Sequence, residues 1–339
     1  MKEQALITKA KKALEQTTGL KTRFQHEYLD GAEYLDGFLQ VSHLNMQWTY
    51  AVEAKTGLTR TTAAMIKEKM KNYTGKVIVV TEYITPPMAE QLKNLDLFFI
   101  DTAGNAYIEE PPLFIFITGK RPAQKAQTKR LKHLFRPGGL KVIFTLLNEP
   151  QTVNRPFRDI AEKTGVALGT VGGVVKELKN MGFCLAIGRK NRRLREMPTL
   201  IRRWVEAYPE QLRPKLIIDR FETNQRNWWR DINIRDYNAY WGGEIAGARL
   251  TNYLKPEKVT IYADTPPGKL ILEKKLKKAD NGNIEILRTF WKTDHYIIDQ
   301  DTVPPLLVYA DLMATGDTRN IKTAGLIYDK HIAQLDGKT

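Results

Sequence analysis

The stretch that decides the fold is FRDIAEKTGVALGTVGGVVKELKNMGF, residues 157–183. Four of its apolar residues recur at the spacing of one helix face, which predicts a helix from 168 to about 181 whose apolar stripe packs on two earlier helices. They are Val171, Val174, Val175 and Leu178. Gly165 suits a sharp turn after a helix predicted over 156–164, because a positive φ is easiest for glycine. This succession is typical of a helix-turn-helix, whose second helix can enter a DNA major groove.

The opposite face of the second predicted helix is small and basic. It carries Gly169, Thr170, Gly172, Gly173, Lys176 and Lys179. Two short strands follow, predicted over 183–187 and 193–197, and a wing of this kind can contact phosphates or the minor groove. The polar and basic residues of this wing are Arg189, Lys190, Asn191, Arg192 and Arg193. These two sets are the expected DNA-binding residues of a winged helix-turn-helix.

The positive charge of the chain is concentrated around this motif. Residues 120–203 hold 20 Lys and Arg against 5 Asp and Glu, and the net charge of the whole chain is +15. A charge excess confined to one block creates a local field for a polyanion. Double-stranded DNA and a membrane surface both fit that description, so charge alone does not choose between them.

The residues before this block predict a compact α/β domain over 1–119, followed by a basic linker. Helices are expected over 3–16, 59–72 and 86–95, and strands over 34–41, 48–54, 76–84, 97–101 and 106–108. The longest apolar run, residues 113–117, has the length of a core strand.

A nuclease-like constellation lies in the predicted hairpin of this domain. Asp36 starts one strand, and Glu53-Ala54-Lys55 ends the next. Two carboxylates at adjacent strand ends can hold Mg²⁺, and a lysine two residues away lies on the same strand face, where it can orient the attacking water. The pattern is similar to the PD-(D/E)XK nuclease fold, in which Asp36, Glu53 and Lys55 would be catalytic, with Asp36 and Glu53 as metal ligands. It lacks the usual proline before the aspartate, and Glu15 is the one candidate for an extra acid from the first helix.

The residues after 203 alternate strands with helices, which predicts a third α/β domain over 204–339. A basic helix is expected over 269–279, and closing helices over 305–315 and 318–332. The fold class is therefore a multi-domain α/β protein with a restriction-endonuclease-like domain, a winged helix-turn-helix and a C-terminal α/β domain. Aromatic residues cluster before Gly242 and suit either base stacking or a buried core contact. They are Trp228, Trp229, Tyr237, Tyr240 and Trp241.

Four stretches carry a resemblance to a known family. They are VEAK (52–55), FFIDTAGNAYI (98–108), GGEIAGARLTNYLKPEKVTIY (242–262) and LLVYADLMATGDTRNIKTAGLIYDKHI (306–332). In these the chain resembles the AbiEi-type transcriptional regulators, the antitoxins of type IV toxin–antitoxin systems. The resemblance implies a winged helix that binds operator DNA and represses its own operon. It also implies a C-terminal domain that opposes a nucleotidyltransferase toxin without a stable direct complex.

Three functions remain open from the sequence. The first is a DNA-binding regulator and antitoxin without a cofactor, the second a Mg²⁺-dependent DNA nuclease targeted by its winged helix, and the third a winged-helix module that binds only protein. The single cysteine, Cys184, and the absence of a signal peptide or a long apolar run lead us to expect a cytoplasmic protein without a membrane segment. The sequence does not define the oligomeric state.

Overall fold

The computed structural model describes residues 2–26, 35–122, 133–187, 191–225, 227–291 and 301–335. The chain divides into two compact units, Met1–Lys129 and Arg130–Thr339. Both units combine helices with a sheet, so the expected mixed α/β class is confirmed. The finer division at residues 119 and 203 stays a prediction.

The first unit is built on a seven-stranded sheet in which the strands follow one another in chain order. Its strands are β1 Lys21–Gln25, β2 Gly37–His43, β3 Met46–Lys55, β4 Val77–Thr81, β5 Phe98–Asp101, β6 Ala106–Glu110 and β7 Leu113–Ile117. Its helices are α1 Lys2–Thr18, α2 Arg60–Lys69 and α3 Pro86–Asn94. β3, β4 and β5 run parallel and the other pairs are antiparallel. The parallel centre is buried on both faces, as the apolar VIVVT of β4 requires.

Two strands of this sheet differ from expectation. β1 was not predicted, because its sequence KTRFQ is short and lies at an edge, where few apolar residues are needed. The apolar run 113–117 has the length of a core strand but does not lie in the centre of the sheet. It forms the other edge strand, β7, on which the Phe114 side chain is 62% exposed.

The second unit combines a small helical region with a five-stranded sheet of order β11-β12-β14-β10-β13. Its helices are α4 Pro137–Asn148, α5 Phe157–Thr164, α6 Leu168–Asn180, α7 Met197–Gln211, α8 Gly243–Thr251, α9 Gly268–Glu273, α10 Pro305–Thr315 and α11 Thr318–Ile327. Its strands are β8 Cys184–Ile187, β9 Asn191–Leu194, β10 Ile217–Glu222, β11 Ala239–Gly242, β12 Val259–Ala263, β13 Lys277–Lys278 and β14 Ile284–Arg288. β8 and β9 form a separate hairpin.

The helix expected over 269–279 is wrong in its second half. α9 ends at Glu273, Lys275 adopts a positive φ of 51°, and Lys277–Lys278 then pair with Phe221 and Glu222 as β13. A run of lysines has no apolar face to hold a helix on the core, so pairing with β10 decides its structure. The closing helix also changes character, since α11 ends at Ile327 and a π-helical turn continues it to Ile332.

The core of the second unit is continuous through α7. Trp204 on this helix is fully buried, stacks on Tyr208 at a ring separation of 4.9 Å and donates from Nε1 to the Leu140 carbonyl of α4 at 2.9 Å. The α4 residue Phe144 lies 5.3 Å from the Trp204 ring and 4.9 Å from Phe290, which follows β14. Aromatic packing therefore joins the helical region to the sheet.

A buried polar network extends this core. The Tyr208 and Tyr262 hydroxyls lie 2.7 Å apart, Tyr262 donates to Asp311 on α10 at 2.9 Å, and Arg213 donates to the same carboxylate at 2.9 Å. Burial raises the pKa of both tyrosines well above the usual range, so both hydroxyls keep their protons. Burial also raises the pKa of Asp311, against the effect of Arg213. Each polar group has a partner, as a buried site requires.

We predict that Trp204→Ala destabilises the whole second unit. The substitution removes a buried ring and a buried hydrogen bond, and comparable losses cost about 3–5 kcal/mol. Urea unfolding of the full chain should show this decrease, whereas Tyr253→Ala, at a 57% exposed position, should change little. Hydrogen exchange should show α6 and β12 losing protection together. Loss confined to the helical region would contradict a continuous core.

Candidate nucleic-acid interface

The two helices and the glycine turn expected from the sequence are α5, Gly165 and α6. α5 ends at Gly165, which has φ 63° and ψ 33°, a left-handed conformation that glycine adopts without strain. The Val166 amide then donates to the Ala161 carbonyl at 3.2 Å and closes the turn before α6 begins at Leu168. The four apolar residues of the predicted stripe on α6 are all buried. The face of α6 that packs is thus the one that periodicity predicted.

The opposite face of α6 divides into an open and a packed part. A Cβ atom added at Gly169 or Gly173 would meet nothing within 4 Å, and Lys176 and Lys179 are exposed. These four residues are called the open face below. The other two expected residues are engaged within the protein. Gly172 lies over the Phe157 ring, 3.9 Å from where its Cβ would stand, and the Thr170 methyl lies 3.2 Å from the corresponding point at Gly138.

The predicted wing is the β8–β9 hairpin, in which Leu185 pairs with Arg193 and Ile187 with Asn191. The Asn191 and Arg193 side chains are exposed, whereas Arg189 and Lys190 lie outside the described residues. Cys184 is buried, and burial raises the pKa of its thiol. β9 begins two residues earlier than predicted, because pairing with β8 rather than apolar content sets its start.

Arg192 has a role that the sequence did not reveal. Its amide donates to Asn154 Oδ1 at 2.5 Å, its Nη2 donates to the Arg155 carbonyl at 2.8 Å, and its guanidinium lies 4.7 Å from the centre of the Phe157 ring. Arg192 therefore fastens the wing to the start of α5. A basic residue in a basic run gave no signal that it would face inward.

Two of the few acidic residues of the basic block are also used inside the protein. Glu177 on α6 accepts a hydrogen bond from the Leu134 amide at 2.8 Å. Glu149, after α4, pairs with Lys163 on α5. Both carboxylates stabilise the helical region, and neither belongs to the open face.

In the first unit, the structure brings Asp36, Glu53 and Lys55 together. Asp36 Oδ2 accepts from the Ala54 amide at 2.7 Å, and Lys55 Nζ lies 2.9 Å from Glu53 Oε1. Glu53 is only 3% exposed, and Lys69 on α2 contacts its Oε2 at 2.6 Å. Lys69 was not predicted, because nothing in the spacing of α2 distinguishes it from the other lysines of that helix.

The electrostatics of this cluster do not fit Mg²⁺. Both oxygens of Glu53 contact an ammonium group, and one oxygen of Asp36 is taken by a backbone amide. A divalent cation needs free carboxylate oxygens and is repelled by adjacent cations. Within the described ranges, no three His, Cys, Asp or Glu side chains are grouped to hold a metal.

The acidic residue expected from the first helix is also misassigned. Glu15 accepts from the amide and the hydroxyl of Thr22 at 2.9 and 2.7 Å, and so fastens α1 to β1. In α1 it is Glu3, at the start of the helix, whose negative charge affects the pKa of Asp36. Burial is the main cause that raises the pKa of Asp36, the Ala54 amide opposes it, and the charges of Glu53 and Glu3 raise it further.

Comparison with known proteins identifies the C-terminal region. Residues 193–333 match the family described as transcriptional regulator, AbiEi antitoxin, type IV TA system. In this region the chain is similar to the AbiEi antitoxin family. The predicted resemblance is thus confirmed for the part of the chain that runs from the second wing strand to the π-helical turn. No curated protein and no solved structure matches the chain.

The AbiEi match covers α7, the five-stranded sheet and helices α8, α10 and α11. α5, α6 and the whole first unit lie outside it, so their functional assignment is argued from geometry. Among the described helices, none is long and apolar enough to cross a membrane.

We predict opposite stability effects for the two acids of the first unit. Because the native pKa of Asp36 is raised, its ionised form is disfavoured in the folded state, so Asp36→Asn should raise the free energy of unfolding slightly at neutral pH. That advantage should fade as pH falls through the raised pKa, where Asp36 is protonated. Urea unfolding as a function of pH measures this.

Glu53→Gln should lower the free energy of unfolding by about 2 kcal/mol, because it removes the carboxylate charge that both ammonium groups contact. The expected decrease is smaller than for a fully buried ion pair, since both lysines are partly exposed to solvent. A vacant metal site would behave differently, because removing either of two repelling acids would stabilise it. A stabilising Glu53→Gln substitution would therefore contradict the structural role of this carboxylate.

Proposed function

We propose that this protein is a DNA-binding transcriptional regulator that represses its own operon and serves as the antitoxin of a type IV system. Its ligand is double-stranded operator DNA. Its functional partner is a nucleotidyltransferase toxin, which it opposes without a stable direct complex. The observation that carries the proposal is the open face of α6, with two glycines and two exposed lysines beside a basic wing.

The shape of the open face supports contact with a nucleic-acid backbone. Gly169 and Gly173 lie one helical turn apart and present bare backbone, which allows a phosphate-lined groove to approach closely. Lys176 continues the same side of the helix and supplies charge. Each glycine costs helix stability relative to alanine, by roughly 0.8–1 kcal/mol. A partner that must approach the helix backbone closely would explain why glycines, rather than residues that stabilise the helix, stand at these open positions.

Charge supports the same ligand. The basic excess of the chain falls in the block that contains α6 and the wing, whereas the flanking regions are near neutral. A protein that neutralises phosphates releases counterions, so its affinity depends steeply on salt. The two helices that meet at Gly165, followed by a basic hairpin, favour DNA over a lipid surface as the polyanion.

The Mg²⁺-dependent nuclease is the rival function. Its proposed acids and lysine do converge, but Lys55 and Lys69 occupy the carboxylate that would bind the metal. Incubating plasmid and linear DNA with the protein and Mg²⁺ or Mn²⁺ separates the two functions. If the parent protein cleaves DNA and both Glu53→Ala and Lys55→Ala abolish the cleavage, the nuclease becomes the better proposal and the regulator is rejected.

We predict salt-dependent binding to DNA from upstream of the protein's own gene. The affinity for this DNA should exceed that for random duplex, and the slope of log K against log salt should lose about 0.9 for each phosphate contact removed. The triple variant Lys176→Ala, Lys179→Ala and Arg193→Ala should reduce the slope by about two to three. A reporter behind the same promoter should be repressed by the parent and released by the variant.

The matched control removes three exposed lysines far along the chain: Lys255, Lys258 and Lys277. It changes net charge by the same amount, so an equal loss of slope in the control would show only a diffuse charge effect. An unchanged slope in the α6–wing variant would refute DNA contact by this face. Equal affinity for promoter and random DNA would refute sequence-specific repression.

We also predict that Gly173→Ala separates stability from DNA binding. Its added methyl meets no protein atom, so the substitution should stabilise the helix by up to about 1 kcal/mol. The same methyl stands where DNA should approach, so affinity should fall by about tenfold, a loss of about 1.4 kcal/mol. Thermal unfolding and fluorescence anisotropy measure the two effects.

Gly172→Ala is the control for this prediction, since its methyl would make ordinary contact with Phe157 inside the protein. It should stabilise α6 similarly and leave the affinity within about twofold, well under the 1.4 kcal/mol of a tenfold change. A Gly173→Ala variant that binds DNA as tightly as the parent would exclude close approach at this position.

A further inference from the structure

The edge strand β7 is unusually exposed for its composition. Its sequence, LFIFI, contains no charged or polar side chain, and it pairs with β6 in regular register along its whole length. Phe114 is 62% exposed, and within the described residues no strand pairs with the outer side of β7. An exposed, flat, apolar edge strand is a template for another strand.

The other edges of the seven-stranded and five-stranded sheets are protected in the described part of the chain. β1, at the far side of the same sheet, carries Lys21 and Arg23. In the second unit, β13 consists of two lysines, and β11 is bridged by Thr302. Charges, short length and covering contacts are the usual means of preventing edge pairing. Because β7 has none of them, its exposure is best explained by an interface.

We propose that β7 pairs antiparallel with β7 of a second copy of this chain, about a twofold axis at Ile115. This register places Phe114 opposite Phe116 of the partner subunit and Leu113 opposite Ile117 of the partner subunit. Each pair occurs twice, so the interface contains two aromatic cross-strand pairs, which stabilise antiparallel sheets. The two seven-stranded sheets become one, and the free backbone groups of both edges are satisfied.

The charges at the two ends of β7 fit this arrangement. Glu109 and Glu110 are the last two residues of β6, next to the start of β7, whereas exposed Lys120 and Arg121 follow the end of β7. An antiparallel pair brings the acidic end of one copy to the basic end of the other. A parallel pair would place like charges together. Charge therefore favours a second copy in antiparallel orientation.

Self-association goes beyond the proposed regulatory function, because it follows from β7 alone and requires no DNA. If both hold, each assembly carries two copies of α6, which suits an operator with two half-sites. The dimer and the DNA-binding function can be tested separately, since a monomer could bind DNA and a dimer could form without binding DNA.

Sedimentation velocity of the full chain without DNA tests the proposal. The protein concentration should run from about 1 to 100 µM, a range that covers the Kd values of moderately stable complexes. The parent should be a dimer at the upper concentrations. Phe114→Lys should be a monomer there, since two added charges would lie in an apolar interface. Leu44→Lys is the matched control, because it adds the same charge at an 86% exposed position on the β2–β3 turn of the same unit, and it should remain dimeric.

Phe114 is exposed in the single chain, so its substitution should leave the melting temperature of the monomer near that of the parent at low concentration. A parent that stays monomeric at the highest concentration overturns the proposal. A dimer that survives Phe114→Lys, or that Leu44→Lys dissociates equally, overturns it as well, since the contact would then lie elsewhere.

Discussion

The stack of Trp204 on Tyr208 is the contact on which the second unit depends. Trp204 holds α4 through the Leu140 carbonyl, and α4 carries the ring that reaches Phe290 beside the sheet. The buried Tyr208 hydroxyl is hydrogen-bonded to Tyr262 and to Asp311, and the Tyr262 hydroxyl donates to Asp311 as well. The same packing therefore joins α4, against which α5 and α6 lie, to the five-stranded sheet.

Periodicity predicted the parts of this structure that are governed by burial. The apolar stripe of α6 and the buried strand β4 were predicted from their apolar patterns, because each has one side or both sides in the core. The DNA-contacting residues expected on this helix are those on the face opposite the apolar stripe. The structure divides them further, since Gly172 and Thr170 pack inside the protein while Gly169 and Gly173 stay open.

The parts that sequence could not predict depend on distant partners. β13 exists because Lys277 and Lys278 pair with β10, more than fifty residues earlier in the chain. Lys69 and Arg192 look like ordinary surface cations, and only tertiary contacts show that one neutralises Glu53 and the other fastens the wing. The family patterns have similar causes. Gly247 lets α8 approach Leu312 and Thr323, and Glu244 accepts from the Glu257 and Lys258 amides and from Asn320.

The continuity of α7 has a consequence for how this protein can be divided or recombined. The expected domain boundary at residue 203 falls inside α7, one residue before Trp204. A fragment cut there would lose Trp204 and so expose Phe144 and the apolar side of α4, while the C-terminal piece would keep Trp204 and Tyr208 on a helix without its first turns. The helical region that contains α5 and α6 therefore cannot be separated from the rest of the second unit at this boundary. Transferring this helical region to another protein would require the whole of α7 and a new surface to replace the one against which Tyr208 packs.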